Sequence, residues 1–461
     1  MNVNETMLNQ LAAFVSRASF EELSEQARLH LKIRVLDSLA CAIGALDGLP
    51  VHMVRQQLDD FGGNPLCALI GGGRTAPDRA AFYNSTLVRY LDFNDSYLAK
   101  GETCHPSDSL GPVMAASEYA GATGRALMTA LAVAYQVQCR LSDEAPVRNK
   151  GFDHTTQGAY AMAAGVSKAL GLDQTKTANA IAISGTAFNA LRVTRTGRLS
   201  HWKGLASPNT AFSATHAAFL AMRGISGPPE VFEGNKGFMD SIAGKFYIDW
   251  QDEDLERVTQ TILKKYNAEI HSQSAIEGIL ELREAYGVQG DEVELIELEI
   301  FQVAFDIIGG GEEGSKRFVQ TKEEADHSLP YLLAVALLDG QVGPSQYTDE
   351  RIQSADVQDL LTRVFIRPSD DYSSRFPAEM PCHLRIVLKD GRKLEVEKRD
   401  YEGFHTRPMT WDTVSGKFSW LSRGFASPAL QQQIISAVVD LESVPVTDLM
   451  SLLVRIGPGQ R

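Results

Sequence analysis

Apolar residues near the start of the chain recur at helical spacing. Leu8, Leu11, Phe14 and Val15 fall on one face, and EELSEQARLHLKIRVLDSLACAIGAL (21–46) keeps the same period. Ala-rich stretches follow, among them MTALAVAYQVQCRL, GAYAMAAGVSKALGL and TAFSATHAAFLAMRG. Small side chains at that density let helices pack closely against other helices. The pattern predicts one helical region running to about Asn267. Near Val293 the period changes: LIELEIFQVAFDII alternates and is rich in β-branched residues, and CHLRIVL and RKLEVEKRD are alternating runs joined through Asp390-Gly391, a hairpin signal. Helical spacing returns after Phe404 in PALQQQIISAVVDLE and TDLMSLLVRI. The expected fold is mainly α: a large all-α helical domain, residues 1–267 and 404–461, and a smaller inserted α+β domain, residues 268–403. Two domains offer a cleft between them, a favoured place for a ligand.

Composition narrows the function classes. The 461 residues are enough for two cores, and 44% hydrophobic with 22% charged residues is the balance of a folded globular chain. A net charge of −14 argues against nucleic acid or an anionic membrane as partner, since both need a basic footprint. No apolar run reaches membrane-spanning length, and the N-terminus lacks the basic and apolar regions of a signal peptide. Cys41, Cys67, Cys104, Cys139 and Cys382 are scattered and never form CxxC, so neither a disulfide framework nor a zinc site is expected, and a cytoplasmic setting fits. Phosphate loops, HExxH and GxSxG are absent from the sequence, and an iron–sulfur cluster would need closely spaced cysteines. We expect no cofactor and no metal.

Polar islands between the apolar helices are dense in proton-transfer groups. LDFNDSYLAKGETCHPSDSLG carries Asp92, Asp95, Ser96, Lys100, His105, Ser107 and Asp108. Pro106 places His105 at a loop-to-helix junction, with Ser107 or Asp108 as the N-cap of the next helix; the island either serves chemistry or only caps. RNKGFDHTTQGAY holds Asp153, a natural cap, and His154. RVTRTGRLSHWKG gathers Arg192, Arg195, Arg198, His201 and Lys203, which suits either a polycarboxylate ligand or a solvated basic turn. LKKYNAEIHSQ supplies Lys264 and His271, and ADHSLPY supplies Asp326, His327 and Tyr331.

In order and at similar intervals, LDFNDSYLA…HPSDSLG, GFDH, LSHWKG, AEIHSQ and ADHSLPYLLAVALLDG resemble the motifs of the MmgE/PrpD family, which includes 2-methylcitrate dehydratase and cis-aconitate decarboxylase. LDFNDS with HPSD, and HSQ, look more like the dehydratase branch. The decarboxylase branch has Thr where this chain has Ser96, and some dehydratases lack a Lys at the position of Lys203. The resemblance implies a helical domain built from both chain ends, an inserted lid, a homodimer, and a metal-free site between domain and lid. By motif position it implies Asp92, His105, His154, Lys203, Lys264 and Tyr331 as catalytic residues. Ser96, His271, Arg195 and Arg198 are the expected substrate-binding residues. The expected reaction is dehydration of 2-methylcitrate to 2-methyl-cis-aconitate, a step of propionate metabolism.

Such a reaction needs a base for the proton beside a carboxylate, an acid for the departing hydroxide, and cations to hold the developing enediolate. Lys203 and Lys264 fit the cationic role. His105 is the first candidate for proton transfer, with Asp92 orienting it and His154 or Tyr331 protonating the leaving group. Decarboxylation of cis-aconitate and epimerisation of a related dicarboxylate use the same groups. A non-catalytic carboxylate-binding scaffold is the remaining reading, against which stands the set of His and Tyr that binding alone does not need.

Overall fold

The structure, a computed structural model, describes residues 6–457. Helix outweighs strand, 58% to 9%, which puts the chain in the mainly-α class. It divides into two compact units: one from Met1–Thr194, Gly204–Thr261 and Thr410–Arg461, the other from Arg195–Lys203 and Ile262–Met409.

The first unit is a pack of helices. Met7–Arg17 and Glu25–Gly44 start at Thr6 and Ser24, whose side chains accept from the backbone N–H groups of Asn9 and Ala27. The Ala-rich helices Gly124–Glu144 and Thr155–Ala169 lie against each other. At Gly165 an added Cβ would stand 2.9 Å from the Ala134 Cβ and 3.1 Å from the Ala130 carbonyl, so the small residues set how near the two backbones come. Helix Trp411–Ser422, from the far end of the chain, packs on Glu25–Gly44. Within that contact the buried Lys417 Nζ meets Asp37 at 2.7 Å, donates to the Phe93 carbonyl at 2.9 Å and lies 3.6 Å from the centre of the Phe93 ring.

Helical periodicity overreached in places. The last long helix before Asn267 is Trp202–Met222; beyond it, Gly224, Gly227, Pro228, Pro229, Gly234, Gly237 and Gly244 break the pattern, leaving a π-turn at Met239–Ala243 and a 3-10 turn at Arg257–Gln260. The expected all-α region also carries two small antiparallel hairpins. These are β1 (Cys67–Ala68) with β2 (Arg74–Thr75), and β3 (Tyr97–Ala99) with β4 (Glu102–Cys104).

In the second unit β5 (Val293–Ile300), β6 (Val364–Pro368), β7 (Cys382–Leu388) and β8 (Lys393–Lys398) form one sheet in the order β6-β5-β7-β8. The β7–β8 hairpin has Leu384 opposite Val396 and turns at Asp390-Gly391, where Gly391 has φ +88°. β5 runs parallel to β6 and antiparallel to β7. Helix Gln273–Tyr286 packs on β7 and β8, and Leu329–Asp339 packs on β6. LIELEIFQVAFDII is strand only to Ile300. Buried Phe301, Ala304, Ile307 and Ile308 then follow helical spacing, and the chain turns into a short helix and a π-turn, Gln302–Gly309.

Candidate active site

In the first unit the expected residues gather around the β3–β4 hairpin. Gly101, at φ +90°, closes its turn. The register pairs Tyr97 with Cys104, so the next residues outward, Ser96 and His105, face each other; Ser96 Oγ is 3.1 Å from His105 Nδ1. The same Nδ1 lies 2.7 Å from the Asp95 carbonyl. A carbonyl can only accept, so Nδ1 carries the proton, and in the neutral ring the lone pair is on Nε2. The imidazole stands edge-on to His154, with ring centroids 5.2 Å apart.

Neither Ser107 nor Asp108 caps the helix that follows. Pro106–Ser109 is a 3-10 turn leading into helix Leu110–Tyr119, and the turn is held from across the hairpin. Asp95 Oδ1 accepts from Ser107 Oγ at 2.6 Å and Ser107 N at 3.1 Å, while Asp95 Oδ2 accepts from the Tyr135 hydroxyl at 2.8 Å. Asn94 Nδ2 donates to Ser107 Oγ and Asp108 Oδ1 at 2.9 and 3.1 Å. Burial pushes the Asp95 carboxyl up to about 6, against the opposing pull of Ser107, Arg34 and Tyr135. Asp92, at φ +55° just past helix Pro77–Tyr90, pairs with Arg89 at 2.5 Å. Asp153 Oδ1 accepts from Thr155 N at 3.2 Å ahead of helix Thr155–Ala169, whose N-cap position is His154, and lies 3.5 Å from His154 Nδ1. His154 Nε2 is 4.0 Å from Asp108 Oδ2.

In the second unit the lysines sit among carboxylates. Lys203 Nζ is 2.6 Å from Asp326 Oδ1 and 2.9 Å from His327 Nδ1, and Lys322 Nζ is 2.7 Å from Asp326 Oδ2. Burial alone would raise Asp326, yet Lys203, Lys322 and His327 together hold it well below the usual carboxylate range. Glu269, equally buried, is lowered to about 2 because His271, His327 and Lys264 outweigh its burial. Lys264 and His271 are fully buried. Arg195 is buried and donates to the Lys203 carbonyl at 3.4 Å, whereas Arg198 is exposed and lines a cavity of about 560 Å³ together with Lys316. Tyr331 is buried in helix Leu329–Asp339 and its hydroxyl donates to the Gln346 carbonyl, a bond within its own unit.

Sequence reading had left out Asp95, Tyr135, Arg89 and Glu269 as site residues. Asp95 and Glu269 lie inside the quoted motifs LDFNDS and AEIHSQ, where a signal existed; Tyr135 lies in an Ala-rich helix and Arg89 near the end of another, with nothing local to mark either.

Comparison with known proteins agrees with the motif pattern. The chain is 26% identical to a mitochondrial 2-methylcitrate dehydratase of Yarrowia lipolytica over 404 residues, covering 82% of this chain and 76% of the relative. It is 28% identical to the 2-methylcitrate dehydratase of Escherichia coli K12, covering 82% of each. It is 25% identical to the cis-aconitate decarboxylase of Mus musculus, covering 99% of this chain and 94% of the relative. Residues 9–251 match the MmgE/PrpD N-terminal domain and residues 266–443 the MmgE/PrpD C-terminal domain, so the chain belongs to the MmgE/PrpD family.

Proposed function

We propose that the chain is a hydro-lyase that dehydrates a small tricarboxylate, 2-methylcitrate to 2-methyl-cis-aconitate and water. The observation that carries this reading is His105, whose Nδ1–H is fixed on the Asp95 carbonyl so that Nε2 is the basic nitrogen of the neutral ring. Proton abstraction beside a carboxylate and protonation of the departing hydroxide are assigned to His105 and His154, each general acid–base step being worth roughly 10²–10⁴-fold. Lys203 and Lys264 are assigned to the substrate carboxylates. Tyr331 is assigned a structural role, because its hydroxyl is engaged by Gln346. The protein acts without metal or organic cofactor, and as a homodimer that sedimentation would reveal.

The test is to incubate purified enzyme with 2-methylcitrate, citrate and cis-aconitate, following the absorbance of the unsaturated product and the release of CO₂. Unsaturated product from 2-methylcitrate without CO₂ is the expected result, and His105→Ala should lower kcat by at least about 100-fold while the protein stays folded. A folded His105→Ala enzyme with near-normal turnover would remove His105 from the chemistry. One observation favours a second reading, decarboxylation of cis-aconitate: the Mus musculus decarboxylase aligns with 99% of this chain, against 82% for the Escherichia coli dehydratase. CO₂ release from cis-aconitate would establish it.

A further inference from the structure

In the second unit the segment AEIHSQS folds into a 3-10 turn, Ile270–Ser272, leading into helix Gln273–Tyr286. Glu269 starts this turn and uses both of its oxygens. Oε2 accepts from the backbone N–H of His271 at 2.8 Å, and Oε1 lies 2.7 Å from His271 Nδ1. The Glu269 backbone is tied down as well, its N–H donating to the Asp326 carbonyl at 3.0 Å and its own carbonyl accepting from Ser272 Oγ at 2.6 Å. The His271 ring is flanked by Phe301 and Phe376, centroids 5.7 and 5.6 Å away, and those two rings stack on each other at 4.4 Å. His271 Nε2 is buried and has no hydrogen-bond partner among the described residues.

We propose that Glu269 is the positioning residue for His271, fixing its tautomer so that Nε2 serves as a further proton-transfer atom of the reaction beside those of His105 and His154. This inference rests on the reading of the protein as a tricarboxylate hydro-lyase. A carboxylate can only accept, so the His271 proton is held on Nδ1 and the lone pair of the neutral ring is confined to Nε2. Leaving a buried imidazole nitrogen unpaired is unfavourable in the resting protein, and a substrate C–H or hydroxyl presented to it would meet an acceptor whose direction is already fixed. Besides His271 itself, the charged groups acting on Glu269 are His327, Lys264 and Lys316, and together they hold its carboxyl down, at about 2.

Glu269→Gln separates positioning from mere capping. A glutamine offers one acceptor and one donor where glutamate offers two acceptors. If its oxygen keeps the backbone bond to His271, its amide donates to Nδ1, and the ring proton moves to Nε2. Nitrogen-15 NMR of histidine-labelled enzyme, with the His271 signal assigned by its loss in His271→Gln, should show protonation on Nδ1 in wild type. In Glu269→Gln the proton should be on Nε2. The same variant should lose roughly 10²–10⁴-fold in kcat with KM changed less than about threefold, as is general when an amide replaces the carboxylate behind a working imidazole. Glu269→Asp should restore part of kcat. A wild-type His271 protonated on Nε2 overturns the positioning role, and this needs no variant to fold. Unchanged kcat in a variant whose tautomer has switched overturns the proton-transfer role. Because the tautomer is read without substrate, failure of this proposal is distinct from failure of the hydro-lyase reading, which shows as no turnover of any tricarboxylate by an enzyme whose His271 behaves as described.

Discussion

Asp95 in the first unit and Glu269 in the second are both buried carboxyl groups beside a histidine, yet their affinities for a proton move in opposite directions. Asp95 is pushed up to about 6 and Glu269 is lowered to about 2. Burial acts alike on both, opposing the charged form. The difference lies in what surrounds them. Asp95 is met directly by two hydroxyls and a backbone N–H, which stabilise an anion without neutralising it. Glu269 is faced by an imidazole and lysines, and Asp326 nearby in the chain fold of the same unit takes two ammonium groups. Neutral donors leave a buried acid near the pH at which protons are exchanged; cations fix it as an anion. The Asp95 carboxyl is accordingly suited to exchanging a proton itself, and the Glu269 carboxylate to holding a neighbouring imidazole in one tautomer.

Four measurements would sharpen or break that contrast. The largest effect is expected for Asp326→Asn, which leaves Lys203 and Lys322 without their shared anion; we expect a loss of about 3–5 kcal/mol in urea unfolding. A loss below about 1 kcal/mol would mean that the lysines are charge-balanced elsewhere. Asp95→Asn is next. Because the folded-state value of Asp95 lies above its unfolded value, its contribution to stability is complete below pH 3.8 and is lost as pH rises through about 6. Removing the carboxyl should therefore favour the variant by about 3 kcal/mol more at pH 8 than at pH 3.5. Equal pH slopes for variant and wild type would show that Asp95 is not raised. Tyr135→Phe deletes one neutral donor to Asp95 and should cost about 1.5 kcal/mol at pH 8, with less effect at pH 4, where the acid is protonated. Dialysis against a chelator should change turnover least of all. Activity lost and then restored by iron, zinc or magnesium would end the assignment of both clusters to metal-free chemistry.

The elements most legible in the sequence were those whose pattern is local. The β7–β8 hairpin follows from alternation and a single Asp-Gly step, and the first helix from Leu8, Leu11, Phe14 and Val15 on one face. Strand β6 was missed because its partner β5 is distant in sequence and only Val364 of the five residues is buried. The same holds for the site. His105, His154, Lys203, Lys264 and His271 stand out as types in polar islands, whereas the partners that decide their chemistry are set by register and packing. Ser96 meets His105 only because the hairpin pairs Tyr97 with Cys104. Tyr135 reaches Asp95 from another helix, 40 positions along the chain. Ser107 has the side chain of a cap, but in the fold its hydroxyl and backbone N–H are both taken by Asp95 across the hairpin.

The bond from Lys417 to the Phe93 carbonyl spans 324 positions and sits one residue from Asp92. A ribosome emits the chain from its amino end, so the loop bearing Asp92, Asp95 and Ser96 is made long before the lysine that anchors it. Until Trp411–Ser422 has emerged and docked on Glu25–Gly44, the Lys417 ammonium is missing from both Asp37 and the Phe93 carbonyl. Folding of the first unit thus cannot finish in step with synthesis of its first two hundred residues. The nascent protein must wait, with helices formed and one salt bridge missing, while both pieces of the second unit are translated ahead of Thr410.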